Sequence, residues 1–127
     1  MVGIVLVSHS SELARGLADL VSQVAGTEVR VEAAGGGPGG SLGTNGDLVR
    51  DAIGRADRGQ GVVVLADLGS AILTVRHVLE GSANGQVRLV DAPLVEGAVA
   101  AAVMSAAGQS LEDVARAAEE ARGASKF

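Results

Sequence analysis

The stretch Met1-Val-Gly-Ile-Val-Leu-Val-Ser-His-Ser-Ser-Glu-Leu13 decides the fold, because an apolar run in it stops at a histidine and a helical pattern follows. The run from Val2 to Val7 is continuously apolar, which is typical of a strand covered on both faces in a parallel sheet. Apolar residues then recur at helical spacing, and Ser10 or Ser11 can cap the first turn. The predicted buried stripe of this helix is Leu13, Leu17, Leu20, Val21 and Val24. His9 is therefore predicted to lie between the carboxyl end of a strand and the amino end of a helix.

The predicted position of His9 suits phosphoryl chemistry. Unpaired backbone N–H groups and the helix dipole at a helix N-terminus favour an anion. An imidazole beside such an anion site can carry a phosphoryl group on a ring nitrogen. A histidine at a strand end is also commonly a capping or loop residue, so this segment alone leaves both interpretations open.

Composition limits the class of protein. A chain of 127 residues is expected to form one domain, covering 1–127. The net charge of -5, one Phe and the absence of Trp and Tyr argue against nucleic-acid binding. The absence of cysteine excludes disulfides and thiolate chemistry. We expect a cytoplasmic protein with no membrane contact, because the sequence has neither a membrane-spanning segment nor a signal peptide.

Strands and helices alternate along the rest of the chain. Further strands are predicted over 28–34, 61–66 and 86–90, and further helices over 47–58, 70–80, 94–107 and 110–122. Polar residues alternate in the second strand, which favours an edge position, whereas the third strand is continuously apolar and so central. The fold class is therefore α/β: a single domain with a four-stranded, mainly parallel sheet and helices on both faces. The helix over 94–107 is apolar on almost every side, which predicts a subunit interface in so small a domain.

Local signals predict several details between these elements. Ser70 is predicted to cap the third helix, and Asp91 with Pro93 to begin the fourth. Asn84-Gly85 is predicted to form a turn. The glycine-rich segment 35–46 is either a mobile surface loop or a loop whose backbone N–H groups closely approach a ligand.

Polar residues follow each predicted strand, and they should therefore share one edge of the sheet. In a flavodoxin-like strand order the first and third strands are neighbours, which would place Asp67 beside His9. A carboxylate bonded to one imidazole nitrogen fixes the tautomer, leaves the other nitrogen free and stabilises an imidazolium. Asp67 could equally cap the following helix, and both roles could hold together. The candidate phosphate-binding hydroxyls are Ser10, Ser11, Thr44 and Ser70, of which the three serines could equally be routine caps.

Other motifs predict no cofactor and no metal site. Glycines at 35, 37 and 40 fit G-x-G-x-x-G, but no helix begins there, and no Walker lysine is present. His77 lies inside a predicted helix next to Arg76, and we expect an ordinary surface residue. Two distant histidines without an H-E-x-x-H motif argue against zinc.

Three segments resemble the DhaM family, the phosphotransfer subunits of phosphoenolpyruvate-dependent dihydroxyacetone kinases, whose fold is that of the mannose-type enzyme IIA. They are Val5-Leu-Val-Ser-His-Ser-Ser11, Ala66-Asp-Leu-Gly-Ser-Ala71 and Ala92-Pro-Leu-Val-Glu-Gly-Ala-Val-Ala100. The resemblance covers essentially the whole chain. It implies that His9 receives a phosphoryl group from the carrier protein HPr, with Asp67 as its partner. It further implies transfer to ADP held on the kinase's nucleotide-binding subunit, and a homodimer.

Two departures from the family pattern concern the partners. The glycine-rich loop has Gly-Pro-Gly-Gly where relatives carry acidic and polar residues, and Gly43-Thr-Asn45 where they show Gly-Thr-Ser. Some relatives carry fused HPr-like and enzyme I-like domains that this sequence lacks, so a separate donor protein is expected.

Two other functions compete with this interpretation. The enzyme IIA component of a mannose-type sugar transporter would use His9 identically but deliver the phosphoryl group to a transporter domain. A regulatory domain could keep the fold without the chemistry, although His9 beside Asp67 would argue against it. A kinase acting alone is least favoured, because neither a nucleotide motif nor a magnesium-binding carboxylate cluster is evident.

Overall fold

The computed structural model describes residues 1–81 and 86–127 and has the predicted α/β fold. The strands are β1 (Gly3–Ser8), β2 (Val31–Gly35), β3 (Val62–Ala66) and β4 (Val87–Leu89). The helices are α1 (Ser11–Ala25), α2 (Gly46–Ala56), α3 (Gly69–Glu80), α4 (Leu94–Ala106) and α5 (Leu111–Glu120). Every strand pairing in the described sheet is parallel, and the order is β2-β1-β3-β4. The turn predicted at Asn84-Gly85 lies outside the described residues.

The sheet separates two apolar layers. Ile4 and Leu6 of β1 pack in the layer with α1, α4 and α5, while Val5 and Val7 pack in the layer with α2 and α3. Both faces of β1 are thus covered, as are both faces of β3, which explains why these two runs are apolar without alternation. The predictions that β2 is an edge strand and β3 a central one are confirmed.

The buried face of α1 differs from the predicted stripe. Leu17 and Val21 are buried as predicted, and so is the small Ala14. The exposed fractions of Leu13, Leu20 and Val24 are 46%, 46% and 54%, so their predicted burial is wrong. A small residue suits this face because β2 passes close to α1: a Cβ atom on Gly35 would lie 2.9 Å from the Cβ atom of Ala14.

In α2 a leucine is again exposed. Leu48 is 41% exposed, and Val49 with the two alanines Ala52 and Ala56 forms the buried face. In α5 Val114, Ala115 and Ala118 are buried, and the partly buried Leu111 packs on the same core.

The predicted caps are confirmed at α1 and wrong at α3 and α4. The Ser10 hydroxyl accepts the Leu13 N–H at 3.2 Å and caps α1. The cap position of α3 is Leu68, without a side-chain hydrogen bond, so Ser70 falls inside the first turn. Asp91 does not cap α4: the cap position is Pro93, without a side-chain hydrogen bond, and the Asp91 carboxylate lies 3.3 Å from the Arg122 guanidinium.

Helix α4 packs against α1, α5, β1 and β3, so the chain itself covers much of its apolar surface. Its buried residues are Gly97, Ala98, Ala101, Ala102 and Ser105. Val95 and Val103 remain exposed on the side that faces away from these neighbours. Across 1–81 and 86–127, no helix combines the length and the apolarity that crossing a bilayer requires.

Candidate functional site

The pairing of β1 with β3 brings His9 and Asp67 to the same edge of the sheet. Val7 is opposite Ala66 in the register of the two parallel strands, and the Asp67 N–H donates to the Val7 carbonyl at 3.1 Å. Each strand ends within two residues of this point, so the side chains of His9 and Asp67 leave the sheet together. The predicted neighbourhood of the two residues is therefore present.

The Asp67 carboxylate accepts four hydrogen bonds and is the centre of the site. One oxygen, Oδ1, is 2.9 Å from the His9 ring nitrogen Nδ1 and 2.7 Å from the Leu68 backbone nitrogen. The other, Oδ2, is 3.0 Å from the His9 backbone nitrogen and 2.9 Å from the Ser8 hydroxyl oxygen. His9 is thus held by the same carboxylate through both its backbone and its ring.

These contacts keep the carboxylate ionised. Burial alone would raise the pKa of Asp67, because it disfavours the charged form. Hydrogen bonds from the His9 backbone and ring, the Ser8 hydroxyl and the Leu68 N–H outweigh that effect and hold the pKa of Asp67 below its ordinary value. A charged carboxylate accepts a proton-bearing Nδ1, so the tautomer that fits has its other nitrogen, Nε2, unprotonated.

The Nε2 atom of His9 lies on the accessible side of the ring. The exposed fractions of the His9 and Asp67 side chains are 23% and 13%, so the imidazole covers the carboxylate and still reaches solvent. The Ser70 hydroxyl contacts Nε2. Since Nε2 bears no proton in this tautomer, the Ser70 hydroxyl donates to it. The Nε2 lone pair is therefore exposed apart from this one hydrogen bond.

The other predicted phosphate-binding hydroxyls surround this atom less closely. Ser10 and Ser11 stand at the start of α1, directly after His9. The Ser11 hydroxyl makes no hydrogen bond within the described part of the chain. The Thr44 hydroxyl oxygen lies 2.7 Å from that of Thr74 on α3. The structure thus places Asp67 and Ser70 each in direct contact with His9, whereas Ser10 and Ser11 follow His9 in the chain and Thr44 contacts Thr74.

The glycine-rich loop is fastened to the end of β1. The Gly36 N–H donates to the Ser8 carbonyl at 3.1 Å, and the Gly43 N–H donates to the His9 carbonyl at 3.0 Å. A Cβ atom on Gly35 would lie 2.6 Å from the Ser10 carbonyl oxygen, so only glycine fits where β2 passes the start of α1. The segment Pro38–Gly40 between these attachments is exposed.

Two residues of the site were absent from the sequence-based prediction. Ser8 is buried, donates to Asp67, and accepts the Ser10 N–H at 3.0 Å. Its sequence signal is a serine that ends an apolar strand immediately before the histidine. Thr74 contacts Thr44 and the backbone of Ser70, and its signal is the four-residue spacing that places it one turn beyond Ser70.

His77 lies apart from this site. Its side chain is 80% exposed, and its nearest charged partner is Glu80 on the same helix, at 3.7 Å. In the parts of the chain that the structure describes, no group of three or more His, Asp or Glu residues could hold a metal ion.

Comparison with known proteins identifies the family. The model of the PTS system fructose IIA component family matches residues 3–115. The phosphoryl donor subunit DhaM of PEP-dependent dihydroxyacetone kinase 2 from Listeria innocua is 37% identical over 117 residues, covering 90% of this chain and 94% of the relative. The chain belongs to the DhaM family. A DhaM from Lactococcus lactis is 36% identical and covers 88% of this chain and 89% of its own length.

The DhaM of Escherichia coli is 37% identical over 120 residues, and the chain spans 25% of its length. A crystal structure of a protein of unknown function superposes with a TM-score of 0.86 at 31% identity, covering 100% of this chain and 99% of that one. A sigma-54 interaction domain protein from Enterococcus faecalis has a TM-score of 0.68 at 17% identity, which shows a shared fold.

Proposed function

We propose that this chain is the phosphoryl donor subunit of a phosphoenolpyruvate-dependent dihydroxyacetone kinase and that His9 is its phosphoryl carrier. The observation that supports this most strongly is the asymmetric environment of the imidazole. Asp67 holds Nδ1 at 2.9 Å, while Nε2 faces the exposed side of the molecule. The names of the relatives favour the kinase over the sugar-transporter component.

The chemistry follows from the tautomer. The Nε2 lone pair attacks the phosphorus of the phosphorylated donor, and the bond between phosphorus and the donor breaks with its electron pair going to the donor. The ring keeps its Nδ1 proton and becomes cationic, and the Asp67 carboxylate compensates that charge. In the second step an oxygen of ADP attacks phosphorus, the bond to Nε2 breaks, and the neutral imidazole returns.

The phosphoryl oxygens need donors while His9 carries them. The Ser70 hydroxyl already lies at Nε2 and would turn from the nitrogen to a phosphoryl oxygen. Ser10 and Ser11 lie beside the N-terminus of α1, whose backbone N–H groups and dipole also favour an anion. Thr44 would contact the group only by releasing Thr74.

We assign the donor role to HPr and the acceptor role to ADP on a nucleotide-binding kinase subunit. Apolar side chains next to the site support docking of proteins rather than of small molecules alone. Leu68, whose N–H binds Asp67, is 61% exposed, and Leu42, next to the loop attachment at Gly43, is 82% exposed. A contiguous exposed apolar patch marks an interaction surface, and we infer that these two leucines contribute to such a patch beside His9.

A homodimer is the proposed assembly. Leu20 and Val24 of α1 and Val95 and Val103 of α4 are exposed, and a second copy would remove such surface from water. Sedimentation equilibrium should give twice the mass of the chain. A mass equal to one chain at micromolar concentration would contradict the dimer without affecting the assignment of His9.

Transfer to each acceptor tests the function. The protein would be phosphorylated with phosphoenolpyruvate, enzyme I and HPr, then mixed with the ADP-loaded kinase subunits and dihydroxyacetone, or with a mannose-type transporter domain. We expect dihydroxyacetone phosphate in the first mixture and no transfer in the second. Transfer to the transporter domain alone would establish the competing function.

A pair of histidine variants locates the carrier. His9→Ala should abolish the acid-labile phosphorylation, because the other histidine, His77, has a ring nitrogen 3.7 Å from an exposed carboxylate and lacks the close contact that Asp67 makes with His9. His77→Ala is the matched control, since its ring is exposed and remote from the site, and it should be phosphorylated like the wild type. Phosphorylation that survives His9→Ala would refute the assignment.

A further inference from the structure

A closed circuit of contacts passes through His9 by way of α3 and the glycine-rich loop. It begins at Nε2 of His9, which the Ser70 hydroxyl contacts. The carbonyl oxygen of Ser70 lies 3.1 Å from the Thr74 hydroxyl, which in turn lies 2.7 Å from the Thr44 hydroxyl. Gly43, bonded to Thr44 in the chain, donates its N–H to the His9 carbonyl at 3.0 Å and completes the circuit.

The hydrogen atoms in this circuit have one consistent arrangement. Thr74 has a single hydroxyl hydrogen, and its geometry places that hydrogen on the Ser70 carbonyl. Thr74 can then only accept from Thr44, so the Thr44 hydroxyl is the donor of the pair. In this state the hydrogen of Thr44 is committed to Thr74 and is not offered to a phosphoryl oxygen.

We propose that Thr74 is a positioning residue for phosphoryl transfer. Its hydrogen bonds with Thr44 and Ser70, called the lock below, hold the glycine-rich loop against the first turn of α3 and so fix the Ser70 hydroxyl relative to Nε2. This inference rests on the proposed role of His9 as the carrier. Thr74 is the member of the circuit that joins the loop to the helix by side-chain contacts. The side-chain hydrogen bonds of Thr74 are to Thr44 and Ser70, not to His9 or Asp67.

The glycine content of the loop explains why it needs such an attachment. Gly39, Gly40 and Gly43 adopt positive φ angles, and glycines of this kind cost backbone entropy to order. Hydrogen bonds at the ends of the loop offset that cost, and the one through Thr44 and Thr74 is the attachment nearest to Ser70. Without it, the loop and the first turn of α3 would each keep a separate contact with His9, but the hydroxyl contact that joins the loop to α3 directly would be lost.

Three variants test this role by their rates of phosphorylation. Thr74→Val keeps the shape and removes the hydroxyl, Thr74→Ser keeps the hydroxyl, and Thr27→Val is the control at an exposed threonine far from the site. We expect Thr74→Val to lower the maximal rate about tenfold, the loss expected for one hydrogen bond, with little change in the KM for HPr. Thr74→Ser should recover the rate to within about twofold, and Thr27→Val should match the wild type.

A local readout separates positioning from a loss of stability. Amide hydrogen exchange at Gly43 should be faster in Thr74→Val and unchanged in Thr74→Ser, while any fall in the midpoint of thermal unfolding stays within the few degrees expected for the loss of one hydrogen bond. Wild-type rates in Thr74→Val would overturn the proposal. Equal losses in Thr74→Val and Thr74→Ser would overturn it as well, because the hydroxyl would then not be the active feature.

A double variant distinguishes the lock from direct phosphate binding by Thr44. If the two hydroxyls act as one lock, Thr44→Val, Thr74→Val and the double variant should all be slowed by the same factor. A larger loss in Thr44→Val than in Thr74→Val would show that Thr44 binds the phosphoryl group itself and would contradict the lock.

Phosphoramidate, a small phosphoryl donor, should be used alongside phosphorylated HPr. A wild-type protein that reacts with phosphoramidate and not with HPr would refute the proposed donor, while the same comparison of Thr74 variants would still decide the role of Thr74. A wild-type protein that reacts with neither would refute His9 as carrier and the lock with it.

Discussion

Replacing Asp67 with asparagine is the most discriminating perturbation of the site, because it alters hydrogen bonding without altering shape. Each carboxylate oxygen accepts one hydrogen from a fixed backbone N–H, Leu68 at Oδ1 and His9 at Oδ2. An asparagine must set its amino group against one of these two donors, whichever way it turns. The Ser8 hydroxyl can rotate away from such a clash, but a backbone N–H cannot.

The expected loss has two parts. The Leu68 N–H is exposed and the His9 N–H is partly buried, so losing one of these bonds costs less than leaving a fully buried donor unpaired. We expect the free energy of unfolding of Asp67→Asn to fall by about 1 kcal/mol. The second part concerns the phosphorylated state, in which the His9 ring is cationic. Asp67 is charged in both states, so the shift in equilibrium comes from the added attraction between its carboxylate and the cationic ring. We expect that attraction to contribute about 1.4 kcal/mol, the lower end of the range for an opposite charge this close, so the equilibrium level of phosphohistidine in Asp67→Asn should fall roughly tenfold.

Two measurements on the same samples check both parts. Urea denaturation gives the free energy of unfolding, and intact mass spectrometry gives the phosphorylated fraction at equilibrium with phosphorylated HPr. Asp19→Asn is the matched control, because Asp19 is exposed on α1 and should change neither quantity. If Asp67→Asn matched the wild type in both, the carboxylate would neither hold nor stabilise the imidazole, and the reasoning would fail.

Three further predictions concern the pH dependence of the Asp67 contacts and two other close contacts in the fold. Because the native pKa of Asp67 lies below its unfolded value, the ionised carboxylate stabilises the folded state above the ordinary carboxyl pKa, and this stabilisation is lost as the pH falls through the native pKa. The difference in urea midpoint between the wild type and Asp67→Asn should therefore shrink below about pH 4. A difference that widens there would contradict this. In urea denaturation, the free energy of unfolding of Gly35→Ala should fall by about 1–3 kcal/mol, since the added Cβ would meet the backbone at the start of α1. That of the control Gly54→Ala should rise by about 0.5–1 kcal/mol, because Gly54 lies in a helix with open space around it. Equal stabilities of the two variants would refute the close packing at Gly35. Ser105→Ala removes a buried hydrogen bond of 2.5 Å to the Val2 carbonyl. The free energy of unfolding should fall by about 1 kcal/mol, which lowers the midpoint of thermal unfolding by several degrees. An unchanged midpoint would show that this hydrogen bond does not stabilise the fold.

The sheet was predictable because both faces of its central strands are covered. The continuous apolar runs of β1 and β3 indicate central positions, and a flavodoxin-like order makes them neighbours. The contact between His9 and Asp67 follows from that adjacency alone, without any knowledge of side-chain packing. The central pair of the site was therefore accessible from the sequence.

Helix faces were less predictable, because apolar size is a poor guide to orientation in this chain. Leu13, Leu20 and Val24 form an apolar stripe that stays exposed, while Ala14 faces the sheet. The distance between α1 and β2 selects small residues at their contact, and hydrophobic periodicity does not encode that distance. The exposed stripe instead becomes part of the surface available to a partner.

The hydroxyl network required coordinates because it depends on where α3 begins. The cap position lies two residues earlier than predicted, at Leu68, which moves Ser70 into the first turn, where its side chain reaches His9 and its carbonyl meets Thr74. Helix starts are uncertain by one or two residues even between methods of assignment, so this change was beyond sequence patterns. Thr44 was predicted to contact phosphate, and its partner Thr74 could not be seen from a loop and a helix 30 residues apart.

Phosphopeptide mapping of the protein after incubation with phosphoenolpyruvate, enzyme I and HPr tests the central claim most directly. The account predicts one acid-labile phosphoryl group, located on His9 and attached at Nε2, because Nδ1 is occupied by Asp67. A phosphoryl group on His77, on a serine or threonine hydroxyl, or on Nδ1 of His9 would contradict it.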